Sequence, residues 1–567
     1  MSLFSRSMLF LVLLVACATP TAPVVPATPN PTPVPTVAGP LPRIGGVTSD
    51  KATLGRYERI ELSVALAATY DNPYDSQQVA LSARFRAPSG KLWEIPGFWD
   101  GREAWLVRFT PGEIGTWQYV ASVHDQYGSA DSAEARFDVG PSEQHGWLQV
   151  ASWRDPKLSS RYLAYHDGTP FYGIGHCDAF TLGDSRMDAN GDLNLLKRMR
   201  DHGENLVVWW PHNTFTFFAD SYKTYDRIDM ALIDSYLASA ERLGITVVYT
   251  IWDHNLLRGA GHPWGVGRWE QNGFRRITPK AADFFTDATS WRWQENLYRY
   301  IIARWGSSPA IIWMTASELD GTSAGDHQDA WHAKINDYFV RNDPYRHPTT
   351  ASLSGDKFWD AGYAETDIPQ VHLYEAQKDA QKMGDSVADW TTRLSSNQAR
   401  PNVIGEFGTT NRAIDLPMLH NSIWAALMSG AAITPLRWSD RGSWGRMSDP
   451  LMKQLGYLHT FVADIPFPSL DLKPARLQAN ESTLAAHGLS NGTYAIAWVQ
   501  DRQSDQEHTG TQLTINDMAD GTYMIQPFDP WTGQALPNIQ MQTQAGTLTI
   551  SMPAFHRDLA FKIIRDS

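Results

Sequence analysis

Two glutamates follow short apolar segments that have the composition of buried strands. Glu318 comes three residues after the segment 310–315, and Glu406 comes directly after the segment 401–405. A pair of carboxyl groups can cleave a glycosidic bond, and when configuration is retained the two groups lie about 5–5.5 Å apart. A single glutamate at such a position is more often part of an ion pair, so the hypothesis depends on both. We therefore predict that Glu318 and Glu406 are catalytic residues.

The central part of the chain must provide the elements that bring these glutamates together. Strand-like apolar segments alternate there with amphipathic segments such as 226–243, which predicts repeated βα units around a parallel sheet. The segments predicted as strands are 171–175, 205–210, 245–252, 310–315, 348–353, 369–373, 401–405 and 432–438. Eight such units over residues 145–466 predict an α/β fold, the (β/α)8 TIM barrel, in which reactive side chains lie at the carboxyl ends of the strands. Strands four and seven end across the barrel mouth from each other.

The regions on either side of this segment are predicted to be β-sandwiches, over residues 43–144 and 467–567. Apolar and polar residues alternate in Ile60–Leu66 and in Tyr494–Val499, as half-buried strands require. Their sequences do not decide whether they bind polysaccharide or brace the barrel.

A metal-dependent hydrolase is the alternative enzyme. His176 and Asp178 form a His-x-Asp pattern after the first strand, and His372 and Asp440 lie near the ends of strands six and eight. Metal-dependent barrels collect such ligands. However, the fourth strand ends without a bridging lysine and the fifth without a histidine, so the set is two or three ligands short. We therefore predict neither a metal nor an organic cofactor.

Composition limits the partners. The chain has 61 acidic and 48 basic side chains and a formal charge of −13, which would repel a polyanion, so we predict no nucleic-acid binding. The 23 tryptophans are compatible both with packed cores and with a carbohydrate-binding cleft.

The N-terminus is predicted to direct export. Residues 1–17 have a positive start and an apolar stretch, Met8–Ala16, that is too short to span a bilayer stably. The sequence Leu-Val-Ala-Cys that ends at Cys17 resembles the bacterial lipobox, which implies lipidation of Cys17 and a lipid-anchored protein at the cell surface or envelope. An ordinary signal peptide or a short anchor is the alternative. Residues 18–42, rich in Pro and Thr, are predicted to be an extended linker.

Two segments of the central region resemble clan A glycoside hydrolases, with family 5-like and apiosidase-like barrels as the nearest sets. They are Arg-Trp-Gly-Ser-Ser-Pro-Ala-Ile-Ile at 304–312 and Val-Ile-Gly-Glu-Phe-Gly at 403–408. In addition, segment 97–119 resembles a β-sandwich module that precedes barrels in several bacterial glycosidases. Segment 528–533 resembles a turn in the C-terminal sandwiches of apiosidase-like enzymes.

This resemblance implies a retaining glycosidase that acts on a poly- or oligosaccharide, with Glu318 as acid/base and Glu406 as nucleophile. It also implies that His372 and Tyr374 orient the nucleophile and the sugar, and that Trp438 forms an aromatic floor. The substrate-binding residues predicted from the resemblance and from the strand ends are Ser317, His372, Tyr374, Trp438, Trp252, His176, Asp178 and Trp210.

Ser317 departs from the clan A pattern, in which an asparagine precedes the acid/base glutamate and contacts the sugar 2-hydroxyl. Either the substrate lacks that contact, another residue supplies it, or the site has decayed. A catalytically inactive surface carbohydrate-binding protein is therefore the non-enzymatic alternative. The sequence leaves the sugar, the linkage and the oligomeric state open.

Overall fold

The computed structural model describes residues 39–180, 186–214, 217–218, 221–260, 266–503 and 505–566. Cys17, the export signal and most of the predicted linker lie outside these ranges. None of the helices within them is long and apolar enough to cross a bilayer.

The first region consists of two sheets whose strands alternate buried and exposed residues. In the strand Ile60–Ala67, for example, Ile60, Leu62 and Val64 are buried and the residues between them are more exposed. One sheet has the order β1-β3-β7-β6, and the other has β2-β10-β8-β4-β5 with β9 paired to β8. These strands are β1 (Arg43–Ser49), β2 (Thr53–Gly55), β3 (Ile60–Ala67), β4 (Val79–Arg86), β5 (Leu92–Pro96), β6 (Phe98–Trp99), β7 (Trp105–Phe109), β8 (Gly115–Asp125), β9 (Gly128–Asp131) and β10 (Ala135–Gly140).

The central region contains a small antiparallel sheet followed by parallel strands. The antiparallel strands are β11 (Leu148–Val150), β12 (Leu163–Tyr165) and β13 (Pro170–Phe171). A five-stranded parallel sheet follows, made of β14 (Gly175–Cys177), β15 (Leu206–Trp209), β16 (Thr246–Asp253), β17 (Ile311–Ser317) and β18 (Thr349–Ala351). A further parallel pair is β19 (Gln370–Leu373) and β20 (Val403–Phe407). Every residue of β16, β17 and β20 is buried, as expected for strands covered on both faces.

Helices separate these strands along the chain. The longest have local start and stop signals: Asp226 caps Arg227–Leu243 by accepting from two backbone N–H groups, and Gly244 ends that helix with a left-handed φ of 67°. The α-helices are α1 (Ala151–Arg154), α2 (Asn194–Asp201), α3 (Pro211–Thr214), α4 (Arg227–Leu243), α5 (Ala288–Trp305), α6 (Gln328–Asn342), α7 (Asp360–Glu365), α8 (Ala380–Asn397), α9 (Arg412–Met428), α10 (Asp449–Val462) and α11 (Phe467–Leu470).

Two of the strands predicted from sequence differ in the structure. The first parallel strand is β14, because the antiparallel β13 takes up the start of the predicted segment 171–175. The predicted eighth strand, 432–438, has isolated parallel bridges instead of a regular ladder: Ile433 to Gly173, Arg437 to Phe407 and Trp438 to Cys177. It thus lies between β14 and β20. Between β18 and β19 the Ile368 N–H donates to the Thr349 carbonyl at 3.0 Å, without a continuous ladder.

The last region is β-rich again, with a seven-stranded sheet of order β21-β23-β24-β32-β27-β28 in which β29 pairs with β27. A three-stranded sheet, β22-β26-β30, and the pair β25-β31 accompany it. The strands are β21 (Lys473–Pro474), β22 (Leu477–Ala479), β23 (Leu484–Ser490), β24 (Tyr494–Asp501), β25 (Glu507–His508), β26 (Gln512–Ile515), β27 (Thr522–Asp529), β28 (Gln534–Ala535), β29 (Ile539–Gln542), β30 (Leu548–Ser551), β31 (Phe555–His556) and β32 (Asp558–Arg565).

Buried polar contacts join the central helices to both β-rich regions. Arg108 of β7 donates to the carboxylate of Asp234 in α4 at 2.9 Å, and Arg304 of α5 donates to the same carboxylate at 2.7 Å. At the other end, His420 of α9 lies 2.6 Å from the carboxylate of Asp558 in β32. Arg108 and Arg304 thus share one carboxylate, and the contacts connect α4, α5 and α9 to β7 and β32.

Candidate active site

Glu318 and Glu406 lie at the carboxyl ends of strands that are far apart in sequence. Glu318 follows β17 in a left-handed conformation, with φ of 55°, and the Ser352 hydroxyl lies 3.0 Å from its backbone nitrogen. Such a backbone is uncommon outside glycine and often marks a functional position. Glu406 lies within β20, one residue before its end. Both side chains are buried, with 7% and 4% of their surface exposed.

The imidazole of His372 connects the two carboxyl groups. His372 pairs with Glu406 in the β19–β20 ladder, which places both side chains on the same face of the sheet. Its Nδ1 lies 2.9 Å from Oε1 of Glu318 and 3.4 Å from Oε2 of Glu406. Oxygen atoms of the two glutamates and a ring nitrogen of His372 lie within 4.8 Å of one another. The structure thus brings the predicted carboxylate pair together around one histidine.

Two further side chains contact this cluster. The Tyr374 hydroxyl donates to Oε2 of Glu406 at 2.8 Å. On the other side, Nδ1 of His254 lies 3.1 Å from Oε2 of Glu318. Each glutamate therefore has a neighbour of its own in addition to the shared His372.

The two carboxyl groups differ in proton affinity. Burial, together with the negative charge of Glu318, raises the pKa of Glu406 to about 8. Burial also acts to raise the pKa of Glu318, but the hydrogen bond from His372 and the positive charges of His372, His254 and Arg258 lower it below its usual value. The nearby carboxylates raise the pKa of His372 despite its burial. These shifts favour the carboxyl proton on Glu406 over Glu318, the reverse of the order expected for an acid/base at Glu318.

A cavity of about 530 Å³ opens directly onto both glutamates. Its volume is in the range of roughly 300–1,000 Å³ that is usual for small-molecule sites. The lining combines aromatic rings with a few polar groups: Phe180, Trp210, His254, Asn255, Glu318, Ser354, Gly355, Tyr374, Gln377, Glu406, Trp438, Asp440 and Trp444.

Three aromatic rings form one wall of this cavity. Trp438 packs edge-on against Phe180 and Trp210, with ring centroids 5.6 and 5.3 Å away. Phe180 and Trp210 are themselves 5.4 Å apart. Such T-shaped contacts fix the orientation of each ring, so the wall is rigid.

The loop after Trp438 adds a fourth ring, Trp444, whose centroid lies 5.3 Å from that of Tyr374. Buried Arg437 holds this loop: its guanidinium pairs with Asp415 of α9 at 2.6 Å and donates to the Trp444 carbonyl at 2.9 Å. Asp440 also accepts from the backbone N–H groups of Gly442 and Gly445 at 2.8 and 3.0 Å. These bonds position Trp444 beside Tyr374, on the Glu406 side of the cavity.

The structure divides the predicted substrate-binding residues into those that line the cavity and those that do not. Tyr374, Trp438 and Trp210 line it, and His372 lies behind it against both glutamates. His176, by contrast, is fully buried within β14, with Nδ1 2.6 Å from Glu204. The indole of Trp252 points to α5 and donates to Tyr298 at 2.9 Å.

Ser317 and Asp178 also differ from the prediction. Ser317 is fully buried at the end of β17, and its hydroxyl has no hydrogen-bond partner within the described part of the chain. Asp178 is 4% exposed and is not among the described residues that line the cavity. The described lining of the cavity thus excludes four predicted residues, Ser317, Asp178, His176 and Trp252, and their contacts with substrate stay predictions.

The cluster of Glu318, His372 and Glu406 is also the one group of the described residues whose spacing could hold a metal ion. His176, Asp178 and Asp440, which the metal hypothesis required, are not part of it. In addition, Nδ1 of His372 is already engaged with Glu318 at 2.9 Å. The donor set fits a proton-transfer site better than the predicted alternative of a metal centre.

Sequence reasoning missed Phe180, Asn255, Ser354, Gly355, Gln377 and Trp444 as cavity residues. All lie in loops beyond the ends of strands, where no periodic pattern reveals orientation. The one available signal was that the loops after strands three and eight are long.

Comparisons with known proteins support the fold. A family model described as a domain of unknown function (DUF5060) matches residues 53–124, in the first β-rich region. A provisionally assigned glycoside hydrolase from Bacteroides vulgatus ATCC 8482 has a similar structure, with a TM-score of 0.65, 16% identity, and coverage of 91% of this chain and 100% of that one. A second structure, named as a glycoside hydrolase, has a TM-score of 0.51 and 12% identity over 74% of this chain and 97% of that one. No curated protein matches the chain in sequence.

The chain therefore has a mixed α/β fold that it shares with glycoside hydrolases. At these identities the likeness concerns the fold alone, and the activity has to be argued from the site.

Proposed function

We propose that the protein is a retaining glycoside hydrolase in which Glu406 is the nucleophile and Glu318 the acid/base. The observation that carries the proposal is the meeting of two buried carboxyl groups, from β20 and from the end of β17, around Nδ1 of His372. Their nearest oxygens lie within 4.8 Å. This supports retention, because inverting enzymes separate their carboxyl groups by about 6.5–9.5 Å to admit a water molecule.

Hydrolysis would take two steps. In the first, a carboxylate oxygen of Glu406 bonds to the anomeric carbon, the bond to the leaving oxygen breaks, and Glu318 gives that oxygen its proton. In the second, Glu318 takes a proton from water, the resulting hydroxide bonds to the anomeric carbon, and the ester to Glu406 breaks. Both carboxyl groups return to their initial protonation states.

The proton of the free site must first move from Glu406 to Glu318. His372 suits this transfer because its Nδ1 is in contact with both groups, at 2.9 and 3.4 Å. Since the three groups interact closely, their apparent pKa values belong to the cluster. The positive charge that develops on the sugar in the transition state stabilises the ionised form of Glu406, so the reaction proceeds from the form in which Glu318 holds the proton.

The sugar unit that fits this cavity is neutral. Glu318, Glu406 and Asp440 are acidic, and among the described lining residues there is no lysine or arginine. A uronate or sulfated sugar would meet these carboxyl groups without a cation to pair with. The aromatic wall offers flat faces to the apolar side of a ring instead.

The remaining features predicted from sequence belong to the same proposal. We propose that β14 to β20 and residues 432–438 form an eight-stranded barrel between two β-sandwiches, at 43–144 and 467–567. We also propose an exported protein that a lipid on Cys17 anchors at the bacterial envelope, with residues 18–42 as a tether.

Reducing-sugar release by residues 43–567 from plant and microbial polysaccharides and aryl glycosides tests the activity. We expect release by the unmodified protein and at least a 1,000-fold loss in Glu406→Gln and in Glu318→Gln. The exposed Glu375→Gln is the matched control. The anomer formed first, followed by NMR, should keep the configuration of the substrate, and inversion would overturn the assignment of Glu406 as nucleophile.

The second candidate is a carbohydrate-binding protein without activity. Two features favour it: Ser317 is buried, and the raised pKa of Glu406 disfavours its ionised, nucleophilic form. Binding of a glycan by both unmodified protein and Glu406→Gln, without release of reducing ends by either, would establish this candidate.

A further inference from the structure

Asn255 is a cavity residue whose side chain the structure fixes in one orientation. It follows β16, and its backbone is held on both sides: its N–H donates to Asp253 at 2.9 Å, and its carbonyl accepts from Arg268 at 2.7 Å. The residue lies directly after His254, whose ring is 3.1 Å from Glu318. The side chain of Asn255 therefore enters the cavity beside the proposed acid/base.

Arg258 determines which end of the Asn255 amide faces the cavity. Its Nη2 donates to Oδ1 of Asn255 at 2.7 Å, and its Nη1 donates to the carbonyl of Gly321, just beyond Glu318, at 3.2 Å. A guanidinium can only donate, so the amide atom that faces it has to be the oxygen. Arg258 is 1% exposed, so water does not compete for its hydrogen bond to Asn255.

The amide nitrogen of Asn255 is thus turned away from Arg258. Asn255 is 8% exposed and lines the cavity, and no described residue accepts a hydrogen bond from its Nδ2. An oriented donor with little access to water is well suited to a hydroxyl group of a ligand, because the contact is made without reorganisation. Ser317, which was itself predicted to bind the sugar, is fully buried and offers no such donor to the cavity.

We propose that Nδ2 of Asn255 donates a hydrogen bond to a ring hydroxyl of the sugar held between Glu318 and Glu406, and that Arg258 positions it. This inference rests on the proposed function for the identity of the ligand. Asn255 is then a specificity-determining residue: it selects sugars that carry an acceptor oxygen beside the acid/base, and sugars deoxygenated at that carbon bind less well.

The test compares Asn255→Ala and Asn255→Asp with the unmodified protein, on the best aryl glycoside substrate and on its monodeoxy analogues. Loss of one oriented hydrogen bond should lower kcat/KM about 10- to 100-fold in either variant. Asp keeps the size of the side chain but cannot donate from that position. For one deoxy analogue, kcat/KM of the unmodified protein should fall to that of the variants, and kcat/KM of the variants should not fall further. Equal losses with every analogue would overturn the proposal.

Two measurements separate this inference from the proposed function. Asn342→Ala, an exposed helix position far from the cavity, is the matched control, and unchanged melting temperatures exclude general damage. If the unmodified protein hydrolyses nothing, the kinetic test is replaced by calorimetry, which measures binding of neutral hexasaccharides (cello-, manno- and xylo-series) to the unmodified protein and to Asn255→Ala. Weaker binding by Asn255→Ala would then support the role of Asn255 while the hydrolase proposal fails, and equal binding would overturn the role as well.

Discussion

Replacing Glu406 with glutamine should make the protein more stable at neutral pH. Burial and the charge of Glu318 raise the pKa of Glu406 from its usual 4.5 to about 8 in the folded protein. When folding raises the pKa of a carboxyl group, the folded state is destabilised at pH values at which that group is ionised in the unfolded chain. The pH of 7 is roughly 2.5 units above the usual pKa, so ionisation of Glu406 stabilises the unfolded chain by about 3 kcal/mol, at about 1.36 kcal/mol per unit. Glutamine removes this cost and still accepts the hydrogen bond from Tyr374.

The assay is denaturant and thermal unfolding of the unmodified protein and Glu406→Gln at pH 7 and at pH 4.5. We expect the variant to be more stable by about 3 kcal/mol at pH 7 and to lose this advantage at pH 4.5, where the unfolded glutamate is half protonated. Glu375→Gln, on the exposed residue after Tyr374, should change neither value. A variant that is less stable at pH 7, or a difference in stability that does not depend on pH, would show that folding does not raise the pKa of Glu406.

Three further predictions concern activity and packing. The profile of kcat/KM against pH should be bell-shaped, with the alkaline limb near pH 8, because the one carboxyl proton of the cluster is lost there; a flat profile to pH 10 would contradict this. Tyr374→Phe should lower kcat roughly 10- to 100-fold with little change in KM. It should also move the alkaline limb to higher pH, because the hydrogen bond from Tyr374 lowers the pKa of Glu406 and its removal raises that pKa. Ser317→Asn should decrease stability by about 1–3 kcal/mol in unfolding experiments without a gain in hydrolysis, because position 317 is fully buried.

The sequence predicted the glutamate pair because strand ends are readable from it. Apolar strands such as β17 and β20 are bounded by clear turn and helix signals, and the carboxyl ends of parallel strands meet at one edge. Helix α4 was predicted almost to the residue, since Asp226 and Gly244 mark its ends in the sequence. These features depend on local pattern alone.

The sequence prediction placed His176 just after its strand and Trp252 at the last position of its strand, where both side chains would face the cavity. The structure places His176 within β14 and Trp252 within β16, where side chains alternate between faces. His176 consequently faces Glu204, and Trp252 faces helix α5. A shift of a few residues in a strand boundary was enough to move a side chain out of the site.

Asn255 and Trp444 could not be predicted, since contacts distant in sequence orient them. Trp444 is held through Arg437 and its partner Asp415, 22 residues away. Asn255 depends on Arg258, which in turn reaches the loop after Glu318. No local propensity encodes such contacts, so the conformations of the loops that carry Asn255 and Trp444 could not be predicted from the sequence.

The most direct test of the account is the release of reducing ends by residues 43–567, measured beside Glu318→Gln, Glu406→Gln and the control Glu375→Gln on the same neutral glycans. We expect release by the unmodified protein and by the control, and at least a 1,000-fold loss in the two site variants, with all four proteins folded. Release that persists in Glu318→Gln or Glu406→Gln would contradict it.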